Sequence, residues 1–415
     1  KPAIILLFTF SVNAVNAQLK VDAQFRTRGE IRDGYQKLAV KDATPAVLIS
    51  QRTRFTISYE TEDFKLRFSP QDVRIWGDEE IANLGGVNGN KASIDMFEGF
   101  VDFKVGVNSW LAIGRQRLVY DNEYILAARN WNQRGISSDA ILYKYSKSDW
   151  KVHVAGSWNT LKETRSDIFF PTDRLKSLNF VWVNKDAGNG ISTSFLHVAS
   201  GVTETDTTNT INFRQTTGFY TNINRESFAF QGNAYYQYGK NQQGKDVSAY
   251  LLVGDASYKS GDFTPGIGVA YLSGNSKTGT EQTTDQLFDY IYGGRHRNFG
   301  YIDYFRTFST DTRQGGLVDY YFYLDYNFNS KLNIRNIGHY FQLAQTNPLT
   351  PDGKNLGYEN DIVLRYRFSP IGTLESGYSF ILPTENLKKL QNIQETKFSQ
   401  FFYLMLTFTP SIYKS

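Results

Sequence analysis

Residues 19–32, LKVDAQFRTRGEIR, alternate between two kinds of side chain, and this alternation limits the chain to few folds. The odd positions are largely apolar and the even positions are mostly charged: Leu19, Val21, Ala23, Phe25, Thr27, Gly29 and Ile31 against Lys20, Asp22, Gln24, Arg26, Arg28, Glu30 and Arg32. Because the side chains of a β-strand point alternately to opposite faces, the segment predicts a strand with one apolar and one charged face. Such a strand suits a soluble β-sandwich or a membrane barrel with lipid outside and water in its lumen.

The lengths of the connections decide between these two folds. The same alternation predicts eighteen strands, at 19–32, 47–60, 63–75, 94–104, 109–119, 137–146, 149–158, 177–185, 189–199, 209–222, 226–238, 246–259, 263–273, 315–329, 331–342, 357–368, 372–382 and 397–409. Tight turns alternate strictly with longer polar loops, near 33–46, 76–93, 120–136, 159–176, 200–208, 239–245, 274–314, 343–356 and 383–396. A sandwich has no reason to alternate in this way, whereas outer-membrane barrels have short periplasmic turns and long extracellular loops. We therefore predict an all-β, transmembrane, antiparallel up-and-down barrel over residues 18–415.

The first residues predict a secretory signal at 1–17. A lysine precedes an apolar run, and Val15-Asn16-Ala17 forms a plausible cleavage site before Gln18. The apolar run is shorter than the ~20 residues that a membrane-spanning helix needs. The alternative is a buried N-terminal strand. With a signal here, the mature chain leaves the cytoplasm.

Composition agrees with a barrel more than with a soluble domain. The mean hydropathy of −0.42 alone suggests a soluble protein, but the chain has 27 Tyr, 31 Phe and 34 Gly against 10 Pro. Aromatic girdles around strands that are only half apolar account for this combination. The absence of cysteine excludes a disulfide scaffold and thiol chemistry. Because 45 basic residues nearly balance 41 acidic ones, any electric field must come from the arrangement of charges.

Charged residues on the predicted lumen face are the main functional signal. The strand phases place these basic side chains inward: Lys20, Arg26, Arg28, Arg32, Arg52, Arg54, Lys65, Arg67 and Arg214, and also Arg115, Arg365 and Arg367. The acidic side chains on this face are Asp22, Glu30, Glu60, Glu98, Asp102, Asp139, Glu359 and Asp361. Arginine binds carboxylates through a planar fork, and rings of Arg and Lys favour anions in a pore. The excess of arginine on the first three strands predicts anion selectivity; the alternative is that the charges only pair with one another.

Several different short motifs follow one another along the chain. They are Gln71 to Gly77, Gly114-Arg115-Gln116-Arg117-Leu118, Arg129-Asn130-Trp131, Arg134-Gly135, Asp139-Ala140, Tyr271-Leu272-Ser273-Gly274-Asn275, Phe288-Asp289-Tyr290, His296 to Gly300 with Asp303, Gly357-Tyr358-Glu359-Asn360-Asp361, and Glu375-Ser376-Gly377-Tyr378-Ser379. Together they resemble the alginate-export family of outer-membrane channels. The matched pieces are spread over most of the mature chain, and their order makes them more specific than any one motif.

The resemblance implies a monomeric eighteen-stranded barrel in the outer membrane of a Gram-negative bacterium, embedded in its lipid bilayer. It also implies an electropositive lumen that passes an acidic polysaccharide such as alginate. By motif matching, these residues would line the conduit or fix its loops: Arg115, Arg129, Arg134, Asp139, Glu359 and Asp361. The chain departs from the family at Asn275, where an acidic residue is common, and at 410–415, which lacks a terminal aromatic strand residue.

Other chemistry has little support. The four histidines, His153, His197, His296 and His339, are scattered without ligand-like spacing. Three aspartates of the longest loop, Asp285, Asp289 and Asp303, are candidate Ca²⁺ ligands, although hydration of a mobile loop explains them better. No GxSxG or other nucleophile motif occurs, and no nucleic-acid-binding motif occurs. We expect no enzyme, no cofactor, no metal and no nucleic-acid partner.

Our hypothesis is a passive channel with an electropositive lumen for an anionic poly- or oligosaccharide. One alternative is a general diffusion porin for small, including anionic, solutes. A second is an outer-membrane receptor or adhesin that acts through the loop 274–314. Two local irregularities are also predicted: a β-bulge at Pro70, which changes the strand phase, and a short helix within Thr384–Gln391. The sequence leaves open the direction of transport and the identity of the sugar.

Overall fold

The chain forms a closed antiparallel β-barrel in a computed structural model that describes residues 17–77, 94–163, 165–166, 169–276, 283–351 and 353–415. The strands are β1 (Gln18–Asp33), β2 (Ala46–Glu60), β3 (Phe64–Ile75), β4 (Ile94–Gly106), β5 (Ser109–Gln116), β6 (Ser138–Lys147), β7 (Trp150–Trp158), β8 (Ser177–Gly188), β9 (Ile191–Thr203), β10 (Ile211–Arg225), β11 (Phe228–Gly239), β12 (Asp246–Val247), β13 (Ala249–Tyr258), β14 (Phe263–Leu272), β15 (Thr284–Asp285), β16 (Leu317–Asn327), β17 (Leu332–Gln342), β18 (Asn355–Tyr366), β19 (Gly372–Pro383), β20 (Ser399–Phe408) and β21 (Ser411–Lys414). The helices are α1 (Arg295–Asn298), α2 (Phe308–Asp311) and α3 (Glu385–Gln391). None of these helices is long and apolar enough to span a bilayer.

Eighteen long strands build the barrel, as the sequence predicted. The pair β12–β15 is a two-residue parallel contact between loops. Strand β21 follows β20 and pairs with the first residues of β1. The predicted signal at 1–17 lies outside the described residues, apart from Ala17. Strand β1 closes the barrel by pairing with both β2 and β20, with Phe25 opposite Phe408. Closure leaves no free sheet edge in the barrel, which hydrocarbon surroundings require.

The two faces of the early strands are those that the alternation predicted. Outward residues such as Phe55 and Leu404 are 45% and 46% exposed, which fits contact with lipid. Inward residues such as Arg26 and Arg52 are 4% and 0% exposed. An inward charged side chain that is this buried must be covered by protein. The lumen is therefore filled at the level of these arginines.

Both predicted irregularities are confirmed. The register of β3 against β4 shifts between Ser69 and Pro70, as expected from a bulge. The predicted helix is α3, which buries Leu387 and Leu390 on its inner side.

Two long loops fill the lumen from one end of the barrel. We call residues 117–137 the first inward loop and residues 273–276 with 283–316 the second inward loop. Their core is aromatic: the Tyr290 and Phe299 rings lie 5.1 Å apart, and those of Phe299 and Phe308 lie 5.2 Å apart, edge to face. The same hydrophobic cluster includes Leu126, Phe288, Ile302 and Phe305, all at most 1% exposed. Packing of this kind is as dense as an ordinary protein core.

One side of the lumen is apolar, which corrects the expectation of a charged, water-filled interior throughout. On β8, β9, β13 and β14 the inward, buried residues are Leu178, Phe180, Leu196, Val198, Leu251 and Leu272. They belong to the same cluster as the inward loops, so protein covers them. Both faces of these strands are thus apolar, which explains why their phase is hard to read from the sequence. Strand β6 also has apolar side chains on both faces. They lie beside Lys144, which points inward and pairs with Asp102.

The two inward loops are tied to each other. The Arg129 guanidinium donates to the carbonyl oxygens of Gly293 at 3.0 Å and Ile291 at 2.8 Å. The Trp131 ring stacks on the His296 ring, with centroids 3.8 Å apart. The loops therefore form one unit inside the barrel.

A buried acidic cluster on the inward faces of β16, β17 and β18 anchors the second inward loop. Its members are Asp319, His339, Glu359 and Asp361, none more than 4% exposed. The Ile302 amide donates to Glu359 at 2.9 Å, and the Tyr301 amide donates to Asp361 at 3.3 Å. The preceding residue, Gly300, has a φ of +80°, and a Cβ there would overlap the Glu359 carboxylate. Only glycine fits this position without moving the anchor.

The barrel predicts a specific behaviour on gels. Detergent-solubilised protein should give a β-type circular dichroism spectrum and should change its mobility when it is boiled, because heat is needed to open the closed sheet. A helical spectrum, or solubility without detergent, would contradict the fold.

Replacing Gly300 with alanine should release the second inward loop. Gly188, at the end of β8, has a similar φ of +73° but no atom within 4 Å of an added Cβ, so Gly188→Ala is a matched control. Alanine strains the backbone by roughly 1 kcal/mol or more at either site. Only Gly300→Ala also displaces a buried carboxylate from its amide donor, at a further cost of about 1–3 kcal/mol.

We expect Gly300→Ala to make residues 283–316 sensitive to protease and to lower the temperature at which the folded gel band disappears. Gly188→Ala should keep the loop protected. Equal protection of the loop in both variants would contradict the anchoring role of Glu359.

Candidate functional site

The inward faces of β1, β2 and β3 carry a dense group of arginines. We call this group the basic wall: Arg26, Arg28, Arg32, Arg52, Arg54 and Arg67, together with Arg117 just after β5. These seven guanidinium groups share two carboxylates. Glu30 lies between two of them at 2.7 and 2.6 Å, and Glu98 lies between two others at 2.8 and 3.1 Å. The basic wall therefore has a large excess of positive charge.

Three members of the basic wall have no carboxylate partner. Among the described residues, no carboxylate lies within 4 Å of Arg26, Arg52 or Arg54. Arg26 donates instead to the Asn130 carbonyl at 2.8 Å, and Arg52 donates to the Gln133 carbonyl at 3.1 Å. Burying a charged group is costly unless it is hydrogen-bonded, so these carbonyls make the burial possible. They do so without neutralising the charge.

Further bonds continue this contact along the first inward loop. Arg28 donates to the Trp131 carbonyl at 2.7 Å, and its guanidinium lies 3.8 Å above the Trp131 ring. Arg54 donates to the Gln71 side-chain oxygen at 2.6 Å, and the Gln71 amide donates to the Arg134 carbonyl at 3.1 Å. The basic wall thus holds residues 130–134 across the lumen, which narrows the pore.

Other predicted lumen residues lie nearer the end with short turns. Lys65 pairs with Glu60, and Arg365 pairs with Glu375 at 2.7 Å, so both are neutralised locally. Arg367 lies in the turn that follows β18. The alternative that lumen charges pair with one another therefore holds in this region, whereas in the basic wall it holds for only four of the seven arginines.

Arg115 and Asp139 do not face the lumen, which corrects the inward assignment. They are register partners on β5 and β6 and form two hydrogen bonds, of 3.0 and 2.8 Å. Their face is the one that carries Ile113 and Ile141, which are 40% and 54% exposed on the outside. The pair lies at the end of these strands next to the long loops, where polar residues can face outward beyond the lipid. Alternation of polarity does not identify the inward face there.

The remaining predicted residues belong to the inward loops and their anchors. Glu359 and Asp361 bind main-chain amides of the second inward loop. Arg129 ties the two loops together. Arg134 is exposed, and its side chain has no carboxylate within 4 Å in the described part of the chain.

A cavity of about 1240 Å³ lies between the inward loops and two other long loops, and we call it the vestibule. Its basic lining residues are Arg129, Arg174, Arg214, Lys240, Lys245, Arg295 and Arg306, and its acidic ones are Asp173, Asp285 and Asp289. Of the basic lining residues, the sequence predicted Arg129 and Arg214 and missed the rest. The side chains of a loop do not alternate in polarity, so the sequence does not show which way they point. The one sequence signal for them is the clustering of Arg295, Arg297 and Arg306 in a single loop.

An ion pair fixes one side of the vestibule. Arg214 on β10 donates to Asp285 at 2.8 Å. Asp285 also accepts the Asn241 and Asn275 side-chain amides and the Leu287 backbone amide, at 3.0, 3.1 and 3.1 Å. Burial by itself would raise the pKa of Asp285, but Arg214 and the amide donors outweigh it and lower the pKa below the usual value. The carboxylate therefore stays ionised and holds three segments together.

The aspartates considered as Ca²⁺ ligands are held apart by other partners. Asp285 is engaged by Arg214 and three amides, and Asp303 is engaged by His296 at 3.1 Å and by the Tyr35 hydroxyl. Within the described ranges, no group of three or more His, Cys, Asp or Glu side chains is arranged to hold a metal ion.

Several solved outer-membrane porins have the same fold. The barrel is similar to Pseudomonas aeruginosa OpdL, with a TM-score of 0.63 and 11% identity over 95% of this chain and 99% of that one. It is also similar to Acinetobacter baumannii OccAB1, with a TM-score of 0.66 and 12% identity over 95% and 97%. The outer membrane protein OpdK of Pseudomonas aeruginosa gives 0.62 and 11% over 95% and 98%. At this identity the likeness establishes the fold.

The family assignment comes from the sequence itself. No curated protein matches the chain. Residues 17–394 match the family described as alginate export, which is most of the chain. Both this family and the similar structures are channels and porins rather than enzymes. The chain therefore belongs to the alginate export family and is a passive, porin-like channel of the Gram-negative outer membrane.

Proposed function

We propose that this channel selects anions and conducts an acidic oligo- or polysaccharide such as alginate. The observation that carries the proposal is the charge imbalance of the basic wall, where seven guanidinium groups share two carboxylates. A lumen with this excess attracts anions and repels cations. The vestibule lining also has more basic than acidic residues, so its net charge is positive as well.

Arginines suit the passage of a polymer that carries one carboxylate on each sugar. A guanidinium binds a carboxylate through two parallel hydrogen bonds, and the charge does not depend on pH in the physiological range. The accessible members are Arg32, Arg67 and Arg117, since their side chains are 33%, 35% and 41% exposed. Screening by salt limits their reach to about 8 Å at physiological ionic strength, so each sugar is released as it moves on.

The alternatives have less support. A general diffusion porin needs no charge imbalance in its lumen. A receptor or adhesin acting through 274–314 needs an exposed loop, whereas the aromatic residues Tyr290, Phe299 and Phe305 of this loop are buried inside the barrel. The loop is therefore better suited to narrowing the pore. Because one chain closes the barrel by itself, we propose that the channel acts as a monomer.

The selectivity test compares two arginines on the same segment. Arg117→Gln removes an inward charge and leaves Glu98 paired with Arg67, whereas Arg115→Gln removes an outward charge two residues away. One charge acts on a carboxylate 4 Å away with about 1 kcal/mol in water, so Arg117→Gln should lower the anion-to-cation permeability ratio by up to about fivefold. Reversal potentials in a salt gradient across a planar bilayer measure this ratio.

Arg115→Gln should leave the reversal potential unchanged. Flux of an acidic oligosaccharide through Arg117→Gln should fall more than flux of a neutral one of the same length. A cation-selective wild type, or equal behaviour of the two variants, would favour the general porin.

A second pair of substitutions separates charge from pore width. Arg26→Gln combined with Arg52→Gln removes two charges and also the donors to Asn130 and Gln133. The first inward loop should then leave the wall, so single-channel conductance should rise while anion preference falls. Arg117→Gln should lower the preference without raising conductance. Unchanged conductance in the double variant would mean that other contacts hold the loop.

A further inference from the structure

The vestibule lies on the side of the barrel that faces out of the cell. Its lining comes from described residues of the loops 117–137, 159–176, 240–248 and 273–316 and from the adjoining parts of β9 and β10, all at the end with long connections. In outer-membrane barrels that end is extracellular. The volume of about 1240 Å³ exceeds the ~300–1,000 Å³ of an ordinary small-molecule pocket, so several sugar units fit.

Three arginines of the inward loops line the vestibule and give it a positive surface, because their charges are not paired with any nearby carboxylate that the structure describes. In the described part of the chain, no carboxylate lies within 4 Å of Arg129, Arg295 or Arg306. The nearest acidic influences on Arg295 are Asp289 and Asp311, which attract it from a greater distance. Burial and the neighbouring Arg295 lower the pKa of Arg129 to about 10, so it still carries its charge at neutral pH.

Arg295 also has a hydrogen-bond donor that no described residue satisfies. Its Nε atom is enclosed by protein and has no hydrogen-bond partner among the described residues. A buried donor without a partner costs free energy, as it does for Nε of Arg52 in the basic wall. Arg129, by contrast, satisfies its own Nε on the Gly293 carbonyl.

The rest of the lining suits sugar hydroxyls more than a compact inorganic anion. Side-chain amides and hydroxyls surround the arginines: Asn159, Thr160, Gln242, Gln243, Thr307 and Gln314. Amides offer both donors and acceptors, as hydroxyl groups require. The half-buried Tyr292 ring adds an apolar surface beside Arg129, with 5.7 Å between the guanidinium and the ring centre. Charged groups, amides and an aromatic ring together match an acidic oligosaccharide.

We propose that the vestibule is an extracellular binding site for carboxylate-bearing oligosaccharides, with Arg129, Arg295 and Arg306 pairing with uronate carboxylates. This inference rests on the proposed anion-conducting function and adds to it a binding step at the outer mouth of the pore.

The test is the sidedness of block by a short oligouronate in planar bilayers. A cysteine at the exposed Asn209, the sole thiol in a chain without cysteine, marks the outer side of each inserted channel for a bulky thiol reagent. Oligouronate added outside should block the current saturably and at lower concentration than from the periplasmic side. A neutral oligosaccharide of the same length and inorganic phosphate should not block in this range.

Variants then assign the block to the vestibule. Arg295→Gln combined with Arg306→Gln should raise the outer half-blocking concentration at least about tenfold, because two charge-assisted contacts are lost. Arg306→Gln alone is the second variant, since the Arg306 side chain bonds to no described residue and its loss should not disturb folding. Arg297→Gln is the matched control: it removes the same charge from α1, but Arg297 is outside the vestibule and pairs with Glu123 at 2.6 Å.

The outcomes separate this inference from the proposed function. Anion-selective channels whose block is equal from both sides, or whose outer block is unaffected by the variants, would overturn the vestibule site alone. Equal block by inorganic phosphate would overturn the sugar specificity. A cation-selective wild type in the same bilayers would overturn the proposed function itself.

Discussion

The structure depends on hydrogen bonds between buried arginines and main-chain carbonyls. Arg26 and Arg52 are almost inaccessible to solvent and have no carboxylate partner in the described part of the chain, which is a costly state for a charged group. The carbonyls of Asn130 and Gln133 supply the missing hydrogen bonds. Because these carbonyls belong to a long loop, the arginines can be satisfied only when that loop lies inside the barrel. The same arginines therefore determine both the width of the pore and its charge.

A second part of the lumen wall, on β18, uses the same principle with the charges reversed. There Glu359 and Asp361 accept main-chain amides of the second inward loop, where the basic wall donates to main-chain carbonyls of the first. Between these two anchors, apolar inward residues of β8, β9, β13 and β14 pack against the aromatic core of the loops. Neutral peptide groups hold both loops, so the arginines that bind main-chain carbonyls are not neutralised by this contact, and they keep their effect on a passing anion.

The strands were predictable from sequence, while the interior was not. Period-two alternation and the asymmetry of the turns give all eighteen strands, because lipid and lumen impose opposite polarity on neighbouring residues. Loops have no such period. The length and the glycines of 274–314 permit this loop to fold inward, but they do not show which side chains it places there, so Arg295 and Arg306 were missed. The wrong inward assignment of Arg115 has a related cause. Beyond the lipid a polar side chain can face outward, so polarity does not show which face of the strand carries it. The motif residue Glu359 was predicted in or near the conduit, and its role as an anchor for Ile302 needed the coordinates.

The most direct test of the account is whether the first inward loop covers the basic wall. Ser50 lies on β2 against this loop, 3.0 Å from the Gln133 amide and 6% exposed, and the chain has no native cysteine. Modification of Ser50→Cys by a charged thiol reagent should therefore be slow in the otherwise native channel and fast when Arg26 and Arg52 are replaced with glutamine. Fast modification with both arginines present would mean that the loop does not lie on the wall, and the link between pore width and arginine charge would fail.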